Sequence, residues 1–136
     1  IQALADIEAQ TFSMPWSARS FQTLLENPYC FYFVALVDGR IVGGAGYTEL
    51  CGEANIDNVV VAQSYRAQGI GQALLQALIA HGEARRITAF TLEVRVSNAA
   101  AIHMYEKFGF SSEGIRPGFY ERPREDAVIM WRQDKI

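Results

Sequence analysis

Two stretches of the chain carry residue types whose spacing could do chemistry. The first is Asn58-Val59-Val60-Val61, a short turn, and then Arg66-Ala67-Gln68-Gly69-Ile70-Gly71-Gln72, where an apolar run gives way to glycines that open an amphipathic pattern. Strand, glycine loop and helix start make an anion-binding arrangement. Glycine lets backbone approach a ligand closely, and the free N–H groups of a first helical turn, with the positive end of the helix dipole, can hold a pyrophosphate. A side chain at Gly71 would stand where backbone must meet phosphate, and Arg66 could add a charge. A nucleoside-triphosphate loop would end in Gly-Lys-Ser/Thr, and a dinucleotide fingerprint needs a third glycine with an acid downstream; neither is present. Taken locally, the segment reads equally well as an ordinary strand-to-helix turn.

The second stretch runs over residues 92–110 and holds Glu93, Asn98 and Tyr105. Asn98 suits a helix cap. Tyr105 follows it by seven residues, nearly two turns, so both can look out of one helix face toward a groove. On local grounds a tyrosine between Ile102 and Phe108 reads as a core aromatic, and Glu93 as a solvent-facing carboxylate beside Arg95. Cys30 and Cys51 lack CxxC spacing, and His81 and His103 are too scattered for a metal cluster, so a surface role is expected for each histidine and no metal is expected.

These residues need elements to position them. Leu4, Ile7, Glu8 and Phe12 fall at helical spacing up to Met14-Pro15, and Ser17 can cap a second helix carrying Phe21, Leu24 and Leu25 as far as Asn27-Pro28. Residues 31–37 and 41–47 flank Asp38-Gly39-Arg40 and read as a β-hairpin, since Asp-Gly supplies the positive φ of a tight turn. A strand over 54–62 precedes a helix over 69–85, whose Ile70, Ala73, Leu74, Ala77 and Leu78 recur every three or four positions. A strand over 90–96 should place Phe90, Leu92, Val94 and Val96 on one face, with Thr91, Glu93 and Arg95 on the other. A helix from Asn98 through Phe108 then stops at Gly109, and strands over 111–120 and 127–133 flank a Pro/Gly/charge-rich loop over 116–126. The order predicts an α/β (α+β) fold around one mixed sheet.

Composition bounds the function. The 136 residues suit a single domain, and with 50% hydrophobic and 20% charged residues the chain can bury a core. Its apolar runs are shorter than the ~20 residues of a membrane span, and no signal-peptide pattern opens it. A net charge of −3 argues against a broad nucleic-acid surface and favours basic or amine-bearing partners. A reduced, cytoplasmic protein is expected.

Read together, the loop and the second stretch resemble the GNAT-superfamily N-acetyltransferases and, within them, the RimI type. The resemblance covers residues 3–130 and rests on Met14-Pro15-Trp16-Ser17, the Arg66 to Gly71 loop, the block from Glu93 to Gly109, and Arg124-Glu125-Asp126-Ala127. It implies a mostly antiparallel central sheet flanked by helices, whose first strand would precede Ile1. It also implies acetyl-CoA as cosubstrate, held by the loop through Gln72, with its amide-bearing arm along Val59, Val60 and Val61 and with Asn98 in contact. By position Glu93 becomes the proton acceptor and Tyr105 the donor to the departing thiolate. The acceptor implied is the N-terminal α-amine of a protein, an alanine of a basic small-subunit ribosomal protein; the alternatives are a lysine or small-amine acetyltransferase, or a non-catalytic acyl-CoA-binding domain. Pro15, Trp16 and Tyr120, with neighbouring Gly118 and Phe119, become candidates for its groove, or else simply pack. Glu125-Asp126 could meet a basic peptide or end a solvated loop.

Overall fold

The computed structural model describes residues 1–11, 16–121 and 123–133. Along them run α1 (Gln2–Thr11), α2 (Ala18–Leu25), β1 (Cys30–Val37), β2 (Arg40–Leu50), β3 (Glu53–Val61), a short 3-10 turn (Gln63–Tyr65), α3 (Ile70–Ala84), β4 (Ala89–Arg95), α4 (Ala99–Lys107), β5 (Ser111–Tyr120) and β6 (Glu125–Gln133). The expected order of elements is reproduced. The strands form one sheet in the order β1-β2-β3-β4-β6-β5, and every join is antiparallel except that of β3 with β4.

Local chemistry explains most boundaries. Asp38 and Gly39, at φ 50° and 76°, make the tight turn between β1 and β2. Ser17 accepts from the Ser20 N–H at 3.1 Å and so starts α2. Asn98 does the same for α4 by accepting from the Ala101 N–H at 3.2 Å. No helix among the described residues is long and apolar enough to cross a membrane.

Helices cover both faces of the sheet. On one, Leu74, Leu75, Leu78 and Ile79 of α3 pack with Tyr47, Ile56 and Phe90, and Tyr105 of α4 joins the same core. On the other, Leu4 and Ala5 of α1 and Phe21 of α2 meet Tyr32 and Ile41. Glycines in β2 make the second contact possible. The Tyr32 ring lies over Gly44 and Gly46, where a β-carbon at Gly44 would stand 2.6 Å from ring carbon Cε1, and its hydroxyl donates across to Asn58 Oδ1 of β3 at 2.8 Å.

Three expectations need correction. Val96 lies past the end of β4 and is 41% exposed, because the chain turns there toward the Asn98 cap. His81 is no surface residue: its Nδ1 lies 2.8 Å from the Tyr47 hydroxyl and its ring packs on Phe31 and Phe33, since α3 sets that turn down on β1 and β2. The expected loop over 116–126 is largely strand, with Arg116 opposite Ala127 and Tyr120 opposite Glu125, because Asp126 accepts from the Gly118 N–H at 2.9 Å and ties the hairpin.

Gly82 marks the tightest helix-to-sheet approach. A β-carbon there would sit 2.6 Å from Phe90 Cζ, on a ring with no solvent exposure. Alanine is favoured over glycine inside a helix by about 1 kcal/mol. Gly82→Ala should nonetheless lower stability, by about 1–3 kcal/mol for overpacking less the helix gain, as read from urea unfolding. A stabilised variant would contradict this packing.

Candidate active site

β3 and β4 pair over only three residues each, Glu53 with Ala89, Ala54 with Phe90 and Asn55 with Thr91. Beyond that they part. β3 carries a bulge at this point, since Gly46 faces Asn58 and Tyr47 faces Ile56, leaving Asp57 as the extra residue. The bulge switches which side chains meet each face: Ile56 joins the α3 core, whereas Asn58 turns to the side of α1 and Tyr32. Asp57 stays half-buried, with Oδ2 accepting from Thr48 Oγ1 at 2.6 Å; burial pushes its pKa up and the Thr48 and Asn55 hydrogen bonds pull it back.

The parting strands enclose a cleft of about 660 Å³. Ile56 to Val59 form one wall, Leu92 to Arg95 the other, and Asn98, Met104 and Tyr105 of α4 the floor. Ala62 donates to Val42 across β2 at 2.7 Å, so by strand alternation Val60 also turns its backbone to β2, while Val59 and Val61 turn theirs toward the cleft. Of the three valines, Val59 therefore presents its N–H and C=O and Val61 its N–H to the cleft, while Val60, itself buried, turns its backbone to β2.

Past β3 the chain makes its glycine loop. Arg66 is exposed and its Nε donates to the Val61 carbonyl at 3.3 Å, bracing the loop against the strand end. Ala67 and Gly69, at φ 62° and 78°, are both left-handed and flank Gln68. Gly69 ends the loop without a side-chain cap, so the N–H groups of Ile70, Gly71 and Gln72 have neither a cap nor an intrahelical partner. A β-carbon at Gly71 would stand 3.5 Å from Met104 Sδ and 3.7 Å from Val61 Cγ2. Its direction corrects the sequence expectation: a side chain there would aim between β3 and α4, toward the cleft floor, and a single methyl has ordinary room.

Tyr105 is buried against Phe110 and lines the cleft with Asn98, as their seven-residue spacing implied. Burial, with a smaller push from Tyr120, drives its pKa well above the usual phenol value, so the hydroxyl stays protonated at neutral pH. Glu93 faces the same cleft. Its partner is Arg116 of β5, whose Nη1 lies 3.2 Å from Oε1, and not Arg95 as its strand position suggested. Arg95 is drawn away by β6: it meets Glu125 at 3.2 Å and the Glu121 and Pro123 carbonyls, and covers the Tyr120 ring at 4.5 Å.

Trp16 and Tyr120 both line the cleft; Pro15 lies outside the described residues. The Glu125-Asp126 pair also has internal partners, Ser97 N–H and Arg95 for the first and Gly118 N–H for the second, while Asp126 stays exposed and Glu125 lines the cleft. Sequence reasoning passed over Glu8. It is 1% exposed, its Oε1 accepts from the Trp16 N–H at 3.1 Å, and it lines the cleft on the Asn58 side. The signal was an acid on the apolar stripe of α1. Asp57-Asn58, which breaks the apolar alternation of β3, was a second.

A sheet opened beside a strand, glycine loop and uncapped helix, with a buried tyrosine and a carboxylate across the gap, defines an α+β fold with a cleft where its central strands part. Residues 1–110 match the Acetyltransferase (GNAT) family, and the chain belongs to that family. It is similar to the putative ribosomal protein bS18-alanine N-acetyltransferase of Bacillus subtilis, 39% identical over 96% of this chain and 87% of that protein. It is also similar to the ribosomal protein bS18-alanine N-acetyltransferase of Escherichia coli K12, 37% identical over 96% and 88%. The crystal structure of the ribosomal-protein-S18-alanine N-acetyltransferase from Escherichia coli superposes with a TM-score of 0.92 at 35% identity, over 98% of this chain and 87% of that one.

Hydrogen bonds from Ser97 and the charge of Arg95 hold the Glu125 carboxyl below the usual value near 4.5. A depressed folded-state pKa contributes stability above the unfolded value and loses it as pH falls through the folded one. Between pH 6 and 3, Glu125→Gln should therefore lose less stability than the parent protein in urea unfolding. Parallel losses would show that this contact does not hold the hairpin.

Proposed function

We propose that the protein transfers acetyl from acetyl-CoA to the α-amine at a protein N-terminus, by direct attack and without an acetyl-enzyme. The observation that supports this most is the cleft itself, opened where β3 and β4 part and lined by Val59, Glu93 and Tyr105, with the glycine loop following the end of β3. Acetyl-CoA supplies an activated acetyl thioester. The free N–H and C=O groups at Val59 and the N–H at Val61 suit an amide-bearing arm laid along β3 as a further strand. At the end of that strand, the N–H groups from Ala67 to Gln72 and the positive end of α3 suit its pyrophosphate, and Asn98 keeps its amide NH2 available while its Oδ1 caps α4.

An ammonium has no lone pair, so the acceptor must lose a proton before its nitrogen bonds to the acetyl carbon. Glu93 takes that proton, directly or through water, and the carbon–sulfur bond breaks as the carbon–nitrogen bond forms. Tyr105 donates to the departing sulfur; a neutral phenol buried at the cleft floor cannot act as base and is suited to give a hydrogen bond where negative charge develops. Neither Cys30, half-buried among β1 and β2, nor exposed Cys51 belongs to the cleft, so no thiol is placed for a covalent route.

The acceptor proposed is the N-terminal alanine of a basic small-subunit ribosomal protein, supported by the names of the similar proteins and by the net charge of −3. Chemistry favours an α-amine as well. Its pKa lies about 2.5 units below that of lysine, so reaching the neutral form costs about 3.5 kcal/mol less. Trp16 and Tyr120 stand at the cleft where such a peptide would enter.

Glu93→Gln and Tyr105→Phe should each lower turnover by about 10²–10⁴-fold while acetyl-CoA affinity, measured by calorimetry, changes little. Full activity in either variant across pH 6–9 would return that residue to a structural role. Mass spectrometry should place acetyl on the α-amine of an Ala-Arg-initiated basic peptide. Faster labelling of an internal lysine in the same peptide with a blocked N-terminus would defeat the N-terminal assignment.

A further inference from the structure

Besides Glu93, Asp57 and Glu125, the cleft is lined by a further carboxylate, across the gap from Glu93, for which the proposed chemistry has no use. Glu8 sits on α1, 1% exposed, and only one of its oxygens is partnered among the described residues: Oε1 accepts from the Trp16 N–H, whereas Oε2 is fully buried with no hydrogen bond. Such an arrangement is costly. A buried carboxylate oxygen without a donor loses its hydration and gains nothing in return, typically about 1–3 kcal/mol or more when charged. Burial raises the Glu8 pKa, and the Trp16 N–H and the nearby Asn58 amide only partly pull it back.

The surroundings are held in place. Tyr32 crosses the β2 glycines to donate to Asn58 Oδ1, which fixes the Asn58 side chain on the same face of the sheet as α1. Glu8, Asn58 and Trp16 thus form a polar corner of the cleft on the face where α1 covers β3, across the gap from Glu93 and Arg95 of β4. The corner offers a negative, unsatisfied acceptor beside an aromatic wall. Its complement is a small cationic donor group at the end of a chain.

We propose that this corner is the receptor for the acceptor's terminal amino group, with the Glu8 carboxylate taking a hydrogen bond from the α-ammonium. The inference rests on the reading of the protein as an N-terminal acetyltransferase and adds the group that selects the amine. One N–H remains on Glu8 while the proton that must leave is taken from the other side of the nitrogen, where Glu93 stands. The amine is thereby held between two carboxylates with separate tasks, binding on the β3 wall and proton removal on the β4 wall. A blocked N-terminus brings no charge to Glu8 and leaves it unpartnered, so rejection of such chains is built into the site.

The test compares binding of an Ala-Arg-initiated basic peptide with its des-amino analogue, in which hydrogen replaces the α-amine, to the protein saturated with CoA so that no turnover occurs. The parent protein should bind the amino peptide about tenfold or more tighter than the analogue, the size of one charge-assisted hydrogen bond. Glu8→Gln keeps an oxygen for the Trp16 N–H and should bring the two affinities within about twofold, with CoA affinity unchanged. If that variant fails to fold, Glu8→Asp, which withdraws the carboxylate by one methylene, should weaken the amino peptide alone. Equal affinities in the parent protein, or an undiminished ratio in the folded variant, would overturn the assignment. Acetyl transfer to the same peptide is scored separately: transfer with no effect of Glu8 defeats only this inference, whereas absence of transfer to any α-amine defeats the reading beneath it.

Discussion

Three residue pairs hold β3 to β4, and then the ladder stops. Two strands that diverge inside a sheet leave N–H and C=O groups that neither strand satisfies, and buried backbone groups are almost always paired. Something must fill that gap. The bulge at Asp57, the glycine loop after Val61 and the tight turn from Arg95 to the Asn98 cap all lie on the open side of the divergence. Each follows from it: the strands cannot continue as a ladder, so β3 feeds a loop and helix, and β4 feeds a capped helix whose face looks back across the gap.

The polar groups around the gap divide by what satisfies them. Glu125 ties β6 to Arg95 and to the Ser97 N–H before α4, and Asp126 ties β6 to the Gly118 N–H of β5, so these contacts build the wall. Glu93 is held at the rim by Arg116, itself stacked over Phe119 at 5.2 Å, a half-exposed pair whose net strength is small. Such a contact can open when a ligand arrives. Tyr105 and Glu8 are the opposite case, buried groups whose ionisation behaviour is set by lost water. On the function proposed above, the neutral phenol on the floor and the carboxylates on the two walls would handle the protons of a bound amine.

Much of this was legible in the residues. The hairpin at Asp38-Gly39 and the caps at Ser17 and Asn98 are local effects, fixed by chemistry within a few positions, and each stands where the sequence reading placed it; the α3 stripe does so only at Leu74 and Leu78, its other half falling on Leu75 and Ile79 while Ala73 and Ala77 are exposed. The loop and the Asn98 to Tyr105 face were legible for the same reason. What was not legible depends on residues far apart in the chain. Glu93 finding Arg116, Arg95 finding Glu125, His81 lying among Phe31, Phe33 and Tyr47, and Val60 turning away from the gap all follow from strand order and register, which no local pattern contains. Glu8 lay between these cases, visible as an acid on an apolar stripe but without meaning until Asn58 and Trp16 were beside it.

On the proposed function, an amide-bearing ligand completes the sheet where β3 and β4 part. Amide hydrogen exchange of the chain with and without saturating acetyl-CoA tests it most directly. The N–H groups of Val59 and Val61 should become strongly protected on binding, while that of Val60, already paired with β2, should change little. Binding without added protection at Val59 and Val61 would mean that the ligand lies elsewhere and that the gap in the sheet is not its seat.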